Sequence, residues 1–107
     1  MIDIESIKQE IVESLKPIDA QKIILFGSYA YGTPNEESDL DLCIIKNKIK
    51  SKIKEKREVR KLLDNIDMPM DILTIENDYY LSHSDENWIN TALYDVRTRG
   101  DVLYEKK

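Results

Sequence analysis

The chain of 107 residues has little of what characterises several classes of protein. Its single cysteine, Cys43, excludes an internal disulfide and is typical of a reducing cytoplasm. Three glycines and three prolines are too few for a low-complexity chain. No apolar run exceeds four residues, whereas a membrane helix needs roughly 20, and the N-terminus lacks the pattern of an export signal. These absences predict one cytoplasmic domain over residues 1–107, with no membrane partner.

An excess of basic residues is also missing, because the net charge is -5 and the pI is near 4.9. This balance argues against general nucleic-acid binding, which requires a basic surface. Nine of the sixteen basic residues nevertheless lie between Lys46 and Lys61, together with two acidic residues. This segment, here called the basic strip, carries +7 and leaves -12 for the rest of the chain. It is either a solvated helix face or a surface for phosphates or an acidic partner.

The hydrophobic pattern alternates between that of helices and that of strands. Short β-branched apolar segments predict three strands, at Lys22–Phe26, Leu40–Ile45 and Met70–Ile75. Amphipathic spacing predicts an N-terminal helix, a second helix from about Ser51 to Asp64 and a last helix that ends at Gly100. The stripes of the first and last helices are formed by Ile4, Ile7, Ile11, Leu15 and Ile18, and by Trp88, Ile89, Ala92, Leu93 and Val96. Residues 102–105 are an edge strand or a tail. The order predicts an α/β fold, a small mixed β-sheet flanked by helices.

The segment most informative about function is Gly27-Ser28, followed after ten residues by Asp39-Leu40-Asp41. A glycine after a strand lets backbone N–H groups approach an anion closely, and the Ser28 hydroxyl is a further donor. Asp39 and Asp41 are two residues apart at the start of a strand, so both carboxylates leave one face and could share a metal ion. The alternative is structural: Asp39 caps the loop and Asp41 accepts a hydrogen bond at the strand start.

A third carboxylate, Asp71, lies near the start of the Met70–Ile75 strand. If that strand neighbours Leu40–Ile45, Asp71 faces Asp39 and Asp41. Three carboxylates around one or two Mg²⁺ ions, beside a phosphate-binding loop, meet the requirement for nucleotidyl transfer. Asp71 would then be best placed to take the proton of the attacking hydroxyl. Capping of the strand is again the structural alternative.

These motifs, from Phe26 to Gly32 and from Ser38 to Leu42 with Asp71 later, resemble the minimal nucleotidyltransferases (MNT) of the DNA polymerase β superfamily. The resemblance implies a polymerase β-like nucleotidyltransferase fold in which Gly27 and Ser28 hold the triphosphate of ATP. It implies that Asp39, Asp41 and Asp71 are catalytic residues that bind Mg²⁺. Many relatives have arginine where Tyr29 or Tyr31 stands, so a phosphate-binding charge is absent here. These two tyrosines would stack on the base or pack against the sheet.

Single-domain members of this family are commonly paired with a helical HEPN protein in a toxin–antitoxin system. The resemblance implies that this chain is the antitoxin, a protein adenylyltransferase that transfers AMP from ATP to a tyrosine hydroxyl near the HEPN ribonuclease site. The assembly would be a hetero-oligomer or would contain a homodimer, with the basic strip and the last helix as candidate partner surfaces. Two alternatives stay open: a non-catalytic antitoxin that sequesters its partner, and a transferase acting on a small molecule such as an aminoglycoside.

Overall fold

A computed structural model describes residues 4–27, 29, 39–66, 68–83 and 92–106 of the chain. Apart from one short additional helix, its helices and strands follow the order that the hydrophobic pattern predicts. In chain order they are α1 (Ile4–Ser14), β1 (Lys22–Phe26), β2 (Leu40–Lys46), α2 (Lys52–Leu62), β3 (Met70–Glu76), α3 (Asn77–Ser82), α4 (Ala92–Arg99) and β4 (Asp101–Glu105). The three predicted strands are therefore confirmed to within one residue at each end.

In the described part of the chain, the strands form one sheet in the order β3-β2-β1-β4. β2 and β3 are parallel, whereas β1 runs antiparallel to both β2 and β4. The parallel pair requires a crossover between its strands, and α2 provides it. The prediction of a small mixed sheet flanked by helices is confirmed, and residues 102–105 belong to an edge strand.

Helices cover both faces of the sheet. On one face, Leu25, Leu42 and Ile44 pack with Ile11 of α1 and Val59 of α2. The opposite face has a second, smaller core, which contains Ile24, Cys43, Ile45, Ile75, Tyr80 and Val96. Because β1 is buried on both faces, its sequence is continuously apolar instead of alternating.

The helix boundaries have local causes. Ser51 caps α2, and its hydroxyl accepts a hydrogen bond from the Lys54 backbone N–H at 3.4 Å. The Lys46 ammonium at the end of β2 binds both carboxylate oxygens of Glu55 at 2.9 and 3.0 Å, which fixes the start of α2 against the sheet. α4 ends where the Gly100 N–H donates to the Val96 carbonyl at 3.1 Å, as the sequence predicts.

The sequence does not predict α3, because its six residues include a single buried one, Tyr80, which is too few for a helical stripe. Trp88 and Ile89, predicted to start the stripe of the last helix, lie outside the described residues. None of the helices among the described residues has the length and apolar character needed to cross a bilayer.

Candidate functional site

Two of the predicted site residues face each other on neighbouring parallel strands. Asp41 of β2 is in register with Asp71 of β3, and Phe26, the last residue of β1, is the antiparallel partner of Asp41. In-register residues on adjacent strands project from the same face of a sheet. Asp39, exposed and directly before β2, is two residues from Asp41. The two aspartate-bearing strands are therefore neighbours, which is the condition under which Asp71 was expected to face Asp41.

Gly27 joins this end of the sheet from β1. Its φ is +76°, in the left-handed region that side chains other than glycine rarely adopt. A methyl group added to Gly27 would overlap Oδ2 of Asp41 and stand 3.0 Å from its Cγ. Both the conformation and the close approach therefore require glycine. The backbone after β1 lies directly against the Asp41 carboxylate.

Three other residues of this segment were predicted to contribute, and one of them, Tyr29, lies in the described part of the chain. Ser28, predicted to bind the triphosphate, lies outside the described residues, as does Tyr31. Tyr29 is half-buried and packs against the core under α1 and α2. Of its two interpretations, packing against the sheet is thus the one with a contact in the structure.

The electrostatics of Asp41 differ from those of a surface carboxylate. Its pKa is raised, first by burial and then by the negative charges of Asp71 and Asp39. In the described ranges, no Lys or Arg forms an ion pair with any of the three aspartates. The site therefore gathers negative charge without compensation from these parts of the chain, and a divalent cation would relieve that repulsion.

The donor set fits Mg²⁺, which prefers carboxylate oxygens. As they are oriented, no three acidic, His or Cys side chains in the described part of the chain are assembled as a ready cation site. Mg²⁺ does not require three, because in nucleotide-binding enzymes one or two carboxylates bind it together with water and substrate phosphates. Asp41 and Asp71, in register on the two strands, are suited to this kind of binding.

Cys43 lies below Asp41 on the same strand face and is fully buried. Burial raises the pKa of its thiol to about 12, so the thiol is uncharged at neutral pH and is a poor nucleophile. A covalent enzyme intermediate on this cysteine is therefore not supported. A small neutral side chain at this position packs beneath the carboxylates.

Sequence reasoning missed one arginine near this end of the sheet. The Nη1 group of Arg60 in α2 donates a hydrogen bond to the Met70 carbonyl at 3.3 Å, directly before Asp71. The sequence shows Arg60 only as one member of the basic strip. The signal that distinguishes it is the helical spacing Lys52, Lys56, Arg60, which places all three on one side of α2.

Comparisons with known proteins agree with this geometry. A family model described as a nucleotidyltransferase domain matches residues 4–100. A candidate protein adenylyltransferase of Methanocaldococcus jannaschii is 37% identical over 70 residues, which are 65% of this chain and 69% of that protein.

Solved structures are similar at the level of the fold. A toxin–antitoxin complex with AMP-PNP has a chain with a TM-score of 0.67 and 23% identity, covering 94% of this chain and 74% of that one. A complex of tri-AMPylated Shewanella oneidensis HEPN toxin with MNT antitoxin has a chain with a TM-score of 0.62 and 19% identity, and the match covers 95% of this chain and 72% of that one. At these identities the two structures support the fold alone.

Proposed function

The chain belongs to the nucleotidyltransferase domain family, and from this premise we propose that it is a Mg²⁺-dependent protein adenylyltransferase. The proposed substrate is ATP, and the acceptor is a tyrosine hydroxyl of a partner HEPN toxin, which AMP attachment inactivates. The chain would thus be the antitoxin, and residues 1–107 would form a single catalytic domain.

The observation that carries the proposal is the in-register pair Asp41 and Asp71, with the Gly27 backbone packed against the first of them. A capping role would account for one aspartate at a strand start. It would not account for a repelling pair on adjacent strands, one of which has a raised pKa. Clustered negative charge of this kind is relieved when a cation is bound.

Each residue has a role that follows from its position. The backbone at Gly27, with Ser28, would hold the triphosphate, and Asp39, Asp41 and Asp71 would hold the magnesium ion. When bound, Mg²⁺ supplies neutralisation of the phosphate charge. The acceptor oxygen bonds to the α-phosphorus of ATP, the bond from that phosphorus to pyrophosphate breaks, and the hydroxyl proton passes to the Asp71 carboxylate.

The protein acceptor is supported by the relatives. The M. jannaschii relative is a candidate protein adenylyltransferase, and one structural neighbour comes from a complex that contains an AMPylated HEPN toxin. These names support the proposal that this chain is an antitoxin acting on a partner protein.

The test is transfer of label from ATP to a HEPN protein encoded beside this chain's gene. With Mg²⁺ present, intact mass should show adducts in steps of one AMP. Asp41→Asn should lower the AMP-transfer rate at least about 100-fold, because the variant loses a carboxylate that would hold the Mg²⁺ ion in the transition state. Asp64→Asn, which removes an exposed carboxylate beyond α2, is the matched control and should leave the rate unchanged. No transfer by the unaltered chain to its cognate partner would overturn the proposal.

Sequestration without chemistry is the second candidate, and the concentration of positive charge in the basic strip favours it. Under this alternative, the Asp41→Asn variant would still neutralise its partner in a growth assay. Under adenylyl transfer, neutralisation would be lost together with the adduct.

A further inference from the structure

Three cations of α2 follow the outer side of β3 along its length. Lys52 Nζ lies 5.6 Å from the ring centre of Tyr79, just beyond the C-terminal end of β3. Lys56 lies beside the middle of the strand, and Arg60 bonds to the Met70 carbonyl at its N-terminal end. The spacing of four residues brings all three to one side of the helix. We call this set, Lys52, Lys56 and Arg60, the basic edge.

Apolar groups accompany the basic edge. A groove of about 230 Å³ runs between α2 and β3, lined by Lys52, Ile53, Lys56, Ile72, Leu73 and Thr74. Ile53 is 68% exposed and Tyr79 is 48% exposed, high values for large apolar side chains. Exposed apolar groups with cations around them are typical of surfaces that bind another protein.

The direction of the basic edge connects it to the candidate active site. Its last member, Arg60, contacts the residue directly before Asp71. Among the described residues, β3 is the last strand on this side of the sheet. Asp71 projects from the face of β3 opposite α2, so a chain segment that lies along the groove and turns round this edge strand would reach it.

We propose that the basic edge and its groove bind an acidic segment of the acceptor protein and direct the acceptor hydroxyl towards Asp71. This inference depends on the proposed function in that it takes the acceptor to be a protein. Charge complementarity identifies the occupant, since a +7 strip on a chain of net charge -5 attracts negative charge at this surface. A nucleic acid fits less well, because the exposed Ile53 and Tyr79 offer apolar contacts that a phosphate backbone does not use.

The test compares two variants with the same change in net charge. Lys52→Glu with Lys56→Glu reverses the basic edge, whereas Lys54→Glu with Lys61→Glu reverses exposed lysines on the side of α2 opposite the buried Val59. The probes are a fluorescent poly(Glu,Tyr) copolymer, as an acidic chain with tyrosine hydroxyls, and total tRNA. Binding is measured by anisotropy without ATP, at one fixed ionic strength. Lys52→Ala with Lys56→Ala is a second edge variant, for use if charge reversal impairs folding.

We expect the edge reversal to weaken copolymer binding at least about tenfold and the control to weaken it less than about threefold. Equal weakening by both pairs, or none by the edge pair, would overturn the proposal. It would also be overturned, in favour of a nucleic acid, if the unaltered chain bound tRNA more tightly than the copolymer and the edge variant lost that binding.

Transfer kinetics give a second readout, with the HEPN partner as acceptor. The edge variant should raise the KM for the partner about tenfold and leave the KM for ATP unchanged, because the basic edge contacts the acceptor alone. A rise in the KM for ATP instead would contradict this role. If the unaltered chain transfers no AMP, the proposed function fails, while the copolymer measurement still decides whether the basic edge binds an acidic chain.

Discussion

Replacing Gly27 by alanine tests whether the backbone after β1 packs against the Asp41 carboxylate. Alanine is the smallest residue with a Cβ, so the substitution changes only two things at this position. It places a side chain at a φ of +76°, and it inserts a methyl group where Oδ2 of Asp41 now lies. Both effects destabilise the folded state.

The magnitude follows from the two effects. A left-handed conformation costs a residue with a side chain roughly 1–2 kcal/mol. Displacing the Asp41 carboxylate from its rotamer costs about 0.5–1.5 kcal/mol more. We therefore expect Gly27→Ala to lower the free energy of unfolding by about 1.5–3.5 kcal/mol. Because the carboxylate moves, we also expect the AMP-transfer rate to fall.

Urea unfolding of four chains separates the two effects: the unaltered chain, Gly27→Ala, Asp41→Ala and the double variant. Truncation of Asp41 removes the carboxylate, so Gly27→Ala should cost about 1 kcal/mol less in that background. The backbone strain remains in both backgrounds. An equal cost in the two backgrounds, or a cost below about 0.5 kcal/mol in either, would refute the contact between Gly27 and Asp41.

Three further predictions concern the charge and burial of individual side chains. The folded state raises the pKa of Asp41, so the charged carboxylate destabilises the fold near pH 7. Asp41→Asn should therefore increase the free energy of unfolding at that pH by about 0.2–1 kcal/mol. In urea titrations this gain should shrink as the pH falls through the folded-state pKa of Asp41. Lys46→Met leaves the Glu55 carboxylate, which is 16% exposed, without its cation, and should lower the free energy of unfolding by about 1–3 kcal/mol in the same assay. Substitution of an exposed lysine, Lys48→Met, should lower it by less than about 0.5 kcal/mol. Cys43, with a thiol pKa of about 12, should resist iodoacetamide at pH 8 until urea unfolds the chain; rapid labelling of the folded protein would contradict its burial.

The strands were predictable from the sequence because each is a short segment of apolar and often β-branched residues. Lys22–Phe26 is continuously apolar, as expected for a strand covered on both faces, and its bounds agree with the prediction. α3 was not predictable, since a helix of six residues with Tyr80 as its one buried residue shows no period. The strand order was also beyond the sequence, because it depends on contacts between segments far apart in the chain.

The site was predictable in composition but not in arrangement. The sequence predicts that Asp39 and Asp41 share a strand face, but β2 begins at Leu40, so only Asp41 lies within the strand. The register of Asp71 with Asp41 follows only from the parallel pairing of β2 and β3. The basic strip is similar in this respect. Its charge is evident in the sequence, but contacts to Tyr79 and Met70 are needed to separate Lys52 and Arg60 from the lysines that face solvent.

The proposed chemistry depends most directly on binding of a divalent cation and a nucleotide by Asp41 and Asp71 together. Electron paramagnetic resonance of Mn²⁺, titrated with and without a non-hydrolysable ATP analogue, measures this binding independently of transfer. We expect tight Mn²⁺ binding only when the nucleotide is present. Asp41→Asn and Asp71→Asn should each weaken it at least about tenfold, and Asp64→Asn should leave it unchanged. The same nucleotide-dependent Mn²⁺ affinity in all four proteins would show that the two aspartates do not bind the cation.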